Sequence, residues 1–112
     1  MDAKALDRTR RRVRLRDLET LVAVVQAGGM RKAAGELHMS QPAVSKAMRE
    51  LEDTLGLRLL ERGRRGVSPT PFGDALVRRS KAVVDELQNA LRELAHLADP
   101  EAGEVRLGAM ET

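Results

Sequence analysis

The chain has 112 residues, with 20 Lys and Arg against 17 Asp and Glu (net charge +3), no Cys, Trp or Tyr, and one Phe, Phe72. Without Cys there is no disulfide framework, thiolate metal site or thiol nucleophile, as suits a reducing compartment, and without aromatics there is no stacking platform for single-stranded nucleic acid. The longest apolar run, Leu21–Val25, is far short of the roughly 20 residues a membrane-spanning helix needs and shorter than the about 7–15 of a secretory signal, so the expectation is a small cytoplasmic, mainly α domain with no membrane partner.

Charge is distributed as a gradient. Residues 1–14 carry net +4 (Lys4, Arg8, Arg10, Arg11, Arg12 and Arg14 against Asp2 and Asp7), residues 15–70 carry +2, and residues 71–112 carry −3. A basic front and an acidic back suggest that only the front faces a polyanion. The first fourteen residues lack apolar periodicity and are expected to be a disordered basic arm.

Helical spacing begins at Leu15, Leu18, Leu21, Val22 and Val25 and is stopped by Gly28-Gly29. A second helix follows, with Met30, Ala33, Ala34 and Leu37 at i, i+3, i+4 and i+7. It is too short to be stable alone and must pack on something. His38-Met39 is a tight connector. Ser40 caps the third helix, which runs from Gln41 to about Leu55 with Pro42 in its first turn. Val44, Met48, Leu51 and Leu55 form its apolar stripe; steps of 100° put Pro42, Ser45, Lys46 and Arg49 on the opposite face, and Gly56 ends it.

Residues 57–62 and 67–70 read as two short strands around Gly63-Arg64-Arg65-Gly66. The hairpin tip is arginine: Arg58, Arg62, Arg64 and Arg65 face only Glu61. Pro69 cannot donate to a ladder and belongs at a strand end or edge. Thr70 then caps a long helix with Pro71 in its first position, running to about Ala98. On it Val77, Ser80, Val84, Leu87, Leu91, Leu94 and Ala98 alternate spacings of 3 and 4, as in a coiled-coil seam. A second stripe, Leu76, Val83, Ala90 and Leu97, lies beside it. Two stripes exceed the need of one exposed helix, so a second copy is the expected cover. The predicted dimer interface is therefore Leu76, Val77, Ser80, Val83, Val84, Leu87, Ala90, Leu91, Leu94 and Leu97. After Pro100, Glu104–Gly108 resembles the start of a strand, as if a new domain begins where the chain stops.

Two short helices, a tight turn, a polar-faced third helix and a basic hairpin describe a winged helix-turn-helix. Such a helix fits the major groove of B-form DNA and its outward side chains reach base edges. The Gln41 amide can pair with adenine, Ser45 can donate or accept, and Lys46 and Arg49 can reach guanine edges or phosphates. Free N–H groups at the starts of the second and third helices favour phosphate, and the wing arginines suit an adjacent minor groove. Asp53 shares the outward face, so only the first half of this helix is expected to meet DNA.

The run Ala33-Ala34-Gly35-Glu36-Leu37-His38-Met39-Ser40-Gln41-Pro42-Ala43-Val44-Ser45-Lys46 resembles the signature of LysR-type transcriptional regulators, and the likeness continues through Leu51–Gly56, Leu59–Arg62, Thr70 and Gly73. The resemblance implies an N-terminal winged helix-turn-helix over 15–70, a linker helix over 71–98 that pairs antiparallel with its twin, and over 99–112 a hinge and the first strand of an effector domain. By position it puts base or backbone contacts on Ser40, Gln41, Pro42, Ser45 and Lys46 with Arg49 nearby, and in the wing on Arg62, Arg64 and Arg65. Arg31 and Lys32, at the start of the second helix, and Ala43 complete the candidate DNA-binding set. Lys46 stands where Arg is more usual, so a bidentate grip on guanine is not implied there. Gly29 stands where Ser commonly caps, a change worth only a few tenths of a kcal/mol, and Met30 and Leu60 replace Phe as core swaps.

The resemblance further implies sequence-specific binding of promoter duplex by a dimer, a tetramer in the full-length protein, and a small-molecule inducer bound only by the effector domain; no other cofactor or metal is expected. Catalysis is not expected: His38 and His96 are far apart, and no HExxH, phosphate-loop or GxSxG motif occurs. The rival classes are a coiled-coil protein-interaction adaptor with a basic head, which leaves the Ser-Gln-Pro helix start unexplained, and a nonspecific DNA compactor.

Overall fold

The structure, a computed structural model, describes residues 2–99 and Glu101. Its elements run α1 (Ala3–Arg12), α2 (Leu15–Ala27), α3 (Met30–Leu37), α4 (Gln41–Leu55), β1 (Leu60–Gly63), β2 (Gly66–Pro69) and α5 (Pro71–Ala98). The strand expected at Glu104–Gly108 lies outside the described residues.

The first finding is a correction. The arm expected to be disordered is helical. Asp2 caps α1, its Oδ1 accepting from Ala5 N at 2.8 Å. Asp7 accepts from Arg10 at 2.8 Å and pairs with Arg11 at 3.1 Å. Arg10, Arg11 and Arg12 fill the last turn, where cations complement the helix dipole. Ten residues are marginal as an isolated helix, but Ala5 and Thr9 are half-buried, Val13 packs against the core, and α1 touches α4.

The remaining head follows its apolar spacing. α2 buries Thr20, Leu21 and Val24, the Thr20 hydroxyl donating to Arg16 O at 2.8 Å. Gly28, at φ +77°, ends the helix, its N–H donating to Val24 O at 2.9 Å; this left-handed position is where a residue without Cβ is favoured. α3 buries Met30, Ala33 and Ala34. His38 takes the left-handed turn after it, at φ +56°, and Met39 N donates back to Ala34 O at 2.9 Å. α4 buries Val44, Met48 and Leu51, as its stripe predicts. Together with Leu59, Leu60 and Val77 these residues form one core. Met30 and Leu60 are both inside it, 7% and 3% exposed.

The strands pair antiparallel, Leu60 opposite Pro69 and Gly63 opposite Gly66, which puts Pro69 at a strand end as expected. β1 begins later than the sequence pattern, because Arg58 and Leu59 are used elsewhere. Glu52 Oε2 accepts from Leu59 N at 2.8 Å and from Leu60 N at 3.3 Å. The Thr70 hydroxyl donates to Arg58 O at 2.6 Å and accepts from Gly73 N at 3.1 Å, so Thr70 caps α5 while tying it to the entry of the wing.

Among the described residues, those up to Lys81 form one compact unit and those from Ala82 on form another; α5 belongs to the first as far as Lys81. In the first unit Val77 joins the core and Ser80 is 1% exposed. Both were expected in a dimer interface; both are covered by their own chain, since the head needs a further apolar face to close its core. In the second unit the later positions of both stripes form one open band: Val83, Leu87, Leu94 and Leu97 are 42–68% exposed, Ala90 is exposed, and Val84 and Leu91 are half-buried. Among the described residues no helix is long and apolar enough to cross a membrane, and no group of three His, Cys, Asp or Glu side chains gathers as a metal needs.

Candidate nucleic-acid interface

The outward side of α4 is the polar face that its spacing dictates. Gln41, Pro42, Lys46 and Arg49 are exposed, and Ala43 and Ser45 are half-buried. The Ser40 hydroxyl accepts from Ala43 N at 3.2 Å. One of its two lone pairs is thereby engaged in the cap, and its hydrogen remains available to donate. Pro42, in the first turn, removes one N–H that the helix could not have used.

An open groove runs between the start of α4 and the wing. It brings together Arg31 and Lys32 from α3, Gln41 and Ser45 from α4, and Arg62 and Arg64 from the wing, with Gly28, Gly29, Gly63 and Gly66 baring backbone along it. Four cations, an amide and a hydroxyl thus converge, with no carboxylate among the lining residues. Such a site attracts an anionic backbone while leaving the amide and hydroxyl free to read donors and acceptors.

The groove's width is set by backbone bonds that sequence spacing does not show. Val67 N donates to Gly28 O at 2.9 Å, tying β2 to the turn between α2 and α3. Gly66, at φ +110°, lies so close that a Cβ there would run into the same Gly28 oxygen. The wing is therefore pinned to the helix pair that presents α4. Glu52, on α4 itself, pins the other end of the hairpin through its two N–H bonds. Glu52 and the capping Thr70 position the site without lining its open face, whereas Gly28, Gly66 and Val67 both fix the wing and form part of the groove wall.

The other predicted residues lie beside this groove rather than in it. Lys46 and Arg49 line a separate hollow with Glu50, Asp53 and Arg58, and Lys46 Nζ lies 3.9 Å from Glu50 Oε1. Arg65 lies on another side of the wing with Glu61, Arg62 and Ser68. The acidic Glu50 and Asp53 thus share the second half of the outward face with Lys46 and Arg49, as the placement of Asp53 in the sequence requires. A third hollow sets Arg12 and Arg14 against Asp17, Glu50 and Asp53. No signal in the sequence connected the arm to this end of α4, since the arm has too few apolar positions to predict a docking face.

Comparison with known proteins agrees with this geometry. Residues 15–74 match the model of a family described as bacterial regulatory helix-turn-helix protein, lysR family. The chain is 43% identical over 101 residues to the uncharacterized HTH-type transcriptional regulator YdcI of Escherichia coli (strain K12), across 90% of this chain and 33% of that protein. It is 40% identical to the HTH-type transcriptional regulator PcaQ of Agrobacterium fabrum, across 90% and 32%. The chain therefore spans about a third of the length of these curated relatives. Among solved structures, the crystal structure of the CbnR DBD–DNA complex superposes with a TM-score of 0.73 at 34% identity, covering 77% of this chain and 99% of that one. The BenM DBD/benA site 1 DNA complex gives 0.75 at 33% identity, covering 78% and 98%.

Proposed function

The chain belongs to the lysR family of bacterial regulatory helix-turn-helix proteins, and from that premise we propose that it binds promoter duplex sequence-specifically as a dimer. It carries the family's DNA-binding domain; relatives that it matches are transcriptional regulators, and two of the solved structures that it covers almost whole are complexes with DNA.

The observation that carries the reading is the groove between α4 and the wing. α4 lies in the major groove, where Gln41 pairs with a base edge and Ser45 adds a second polar contact. Arg31 and Lys32 hold phosphates from the start of α3. Arg64 and Arg62 follow the wing into the neighbouring minor groove, with Arg65 on the backbone beside it. The exposed stripe Val83, Leu87, Leu94 and Leu97 closes against a second copy and sets the spacing of the two heads. In the full-length protein a small molecule held by the effector part changes that spacing, and dimers pair into tetramers. The protein works in the bacterial cytoplasm, on the nucleoid.

Footprinting on the promoter beside the source gene identifies the duplex, and titration then tests the contacts. Gln41→Ala is expected to cost about 1–3 kcal/mol and to relax base choice at one position. Arg64→Ala is expected to weaken all duplexes alike and to flatten the salt dependence by about one unit. Equal affinity of both variants and the parent for every duplex overturns the site. A protein-interaction adaptor predicts no defined complex with duplex alone, and a compactor predicts no preference between footprinted and random sequence.

A further inference from the structure

We infer that α1 is a second phosphate-binding element, which extends the duplex-facing surface past the acidic end of α4. The inference rests on the duplex reading above and adds to it a partner surface outside the 15–74 match.

α1 has two faces. Ala5 and Thr9 are half-buried, and Val13 follows on the same side, packed against the core. Lys4, Arg8 and Arg11 recur at helical spacing on the outward side, Arg12 stands at its edge toward the end of α4, and all four are exposed. They span about 12 Å of helix at the usual rise. Asp7, the acid within α1, is engaged by Arg10 and Arg11, which leaves Lys4 and Arg8 outward with no ion pair among the described residues. Arg12 forms no ion pair among them either.

The position of the stripe selects its partner. On α4 the outward face is basic at Lys46 and Arg49 and acidic at Glu50 and Asp53. Those same two carboxylates line a hollow with Lys46, Arg49, Arg58 and Glu52 on one side and another with Arg12, Arg14 and Asp17 on the other. The negative charge that would repel a polyanion there is therefore flanked by cations from both sides, and the cationic surface resumes on α1. A rigid stripe next to a major-groove helix meets the phosphates that border the site. Phosphate contacts of this kind add affinity and salt dependence and carry no base preference.

The test uses the full chain and a random-sequence duplex long enough to overrun the head on both sides. Arg8→Gln is compared with Arg10→Gln: each removes one charge from α1, and Gln keeps nearly the helix propensity of Arg. Arg8→Gln is expected to flatten the plot of log affinity against log salt by about 0.9, one phosphate's worth. Arg10→Gln, off the stripe, is expected to keep the parent slope. The triple variant Lys4→Gln, Arg8→Gln, Arg12→Gln is expected to flatten it by about two to three such steps. A parent slope in the triple variant, with Arg64→Ala still weakened, overturns the role of α1 alone and leaves the duplex reading standing. Equal flattening by Arg8→Gln and Arg10→Gln also overturns it, as a general charge effect. A parent that binds no duplex overturns this inference and the duplex reading together.

Discussion

Residues 2–81 and the part of α5 beyond Lys81 handle apolar side chains in opposite ways. In the first region Leu21, Val24, Ala33, Val44 and Met48 are fully buried by their own chain. In the second, four large apolar side chains in a row of helical turns are 42–68% exposed. A residue at either place has the same chemistry; what differs is whether another element of the same chain reaches it. Folding of the head is therefore a property of one chain, whereas the stripe is left uncovered among the described residues, which is what the proposed pairing with a second copy would close.

The comparison is broken most strongly from the head side. Leu21→Ala removes a fully buried side chain, and a cavity of this kind is expected to cost about 2–5 kcal/mol. Thermal unfolding followed by circular dichroism should fall at every protein concentration. Leu87→Asp is the matching change in the second region. It places a charge in the exposed stripe, is expected to raise the dimer dissociation constant by about a hundredfold, or about 3 kcal/mol, and should leave the head's own unfolding unchanged. Sedimentation velocity reads the first effect and a melt at low concentration reads the second. A variant that remains dimeric moves the interface off this stripe.

Much of this contrast is legible before any coordinates. Gly28 and Gly56, the Ser40 cap, Pro42, Thr70 and Pro71 mark where elements start and stop, because caps and glycine terminators act within a few residues of themselves. The stripe on α4 is legible for the same reason: period 3.6 is local. Three things are not legible. α1 is held by charge pairs around Asp7 and by a thin Ala5–Thr9–Val13 face, which no apolar count registers. The allocation of α5 is hidden too: the seam of alternating 3 and 4 spacings includes Val77 and Ser80 as well as Leu87 and Leu94, and periodicity says which residues share a face without saying whose chain covers it. Last, the bond from Val67 to Gly28 joins residues far apart in sequence through backbone atoms, so it leaves no residue type behind except the bare Gly66.

Glu52 sharpens the comparison within the head. One carboxylate oxygen accepts from both Leu59 N and Leu60 N, so α4 and the wing move as one body. Glu52→Ala leaves two part-buried donors without an acceptor, an expected loss of about 1–3 kcal/mol. Glu52→Gln retains an acceptor and is expected to lose less. If the wing is positioned this way, Glu52→Ala should also weaken duplex binding while leaving the dimer unchanged by sedimentation. Unchanged stability and binding in the Ala variant would falsify that coupling.

The smallest expected effect decides where the boundary between the regions runs. Ser80 lies one turn before the exposed stripe, and its hydroxyl is buried with no hydrogen-bond partner among the described residues. A buried, unpaired hydroxyl is unfavourable, and Ala is the better helix former. Ser80→Ala is therefore expected to raise head stability by about 0.5–1 kcal/mol. Ser80→Leu separates the two allocations of this position. If Ser80 belongs to the head, the larger side chain overpacks a closed site and costs about 1–3 kcal/mol of head stability. If Ser80 belongs to an interface between copies, Leu instead extends the apolar seam and tightens the dimer. A chain that already covers Ser80 to 1% exposure requires the first result, and a tightened dimer with an unchanged melt would move the boundary back to Val77.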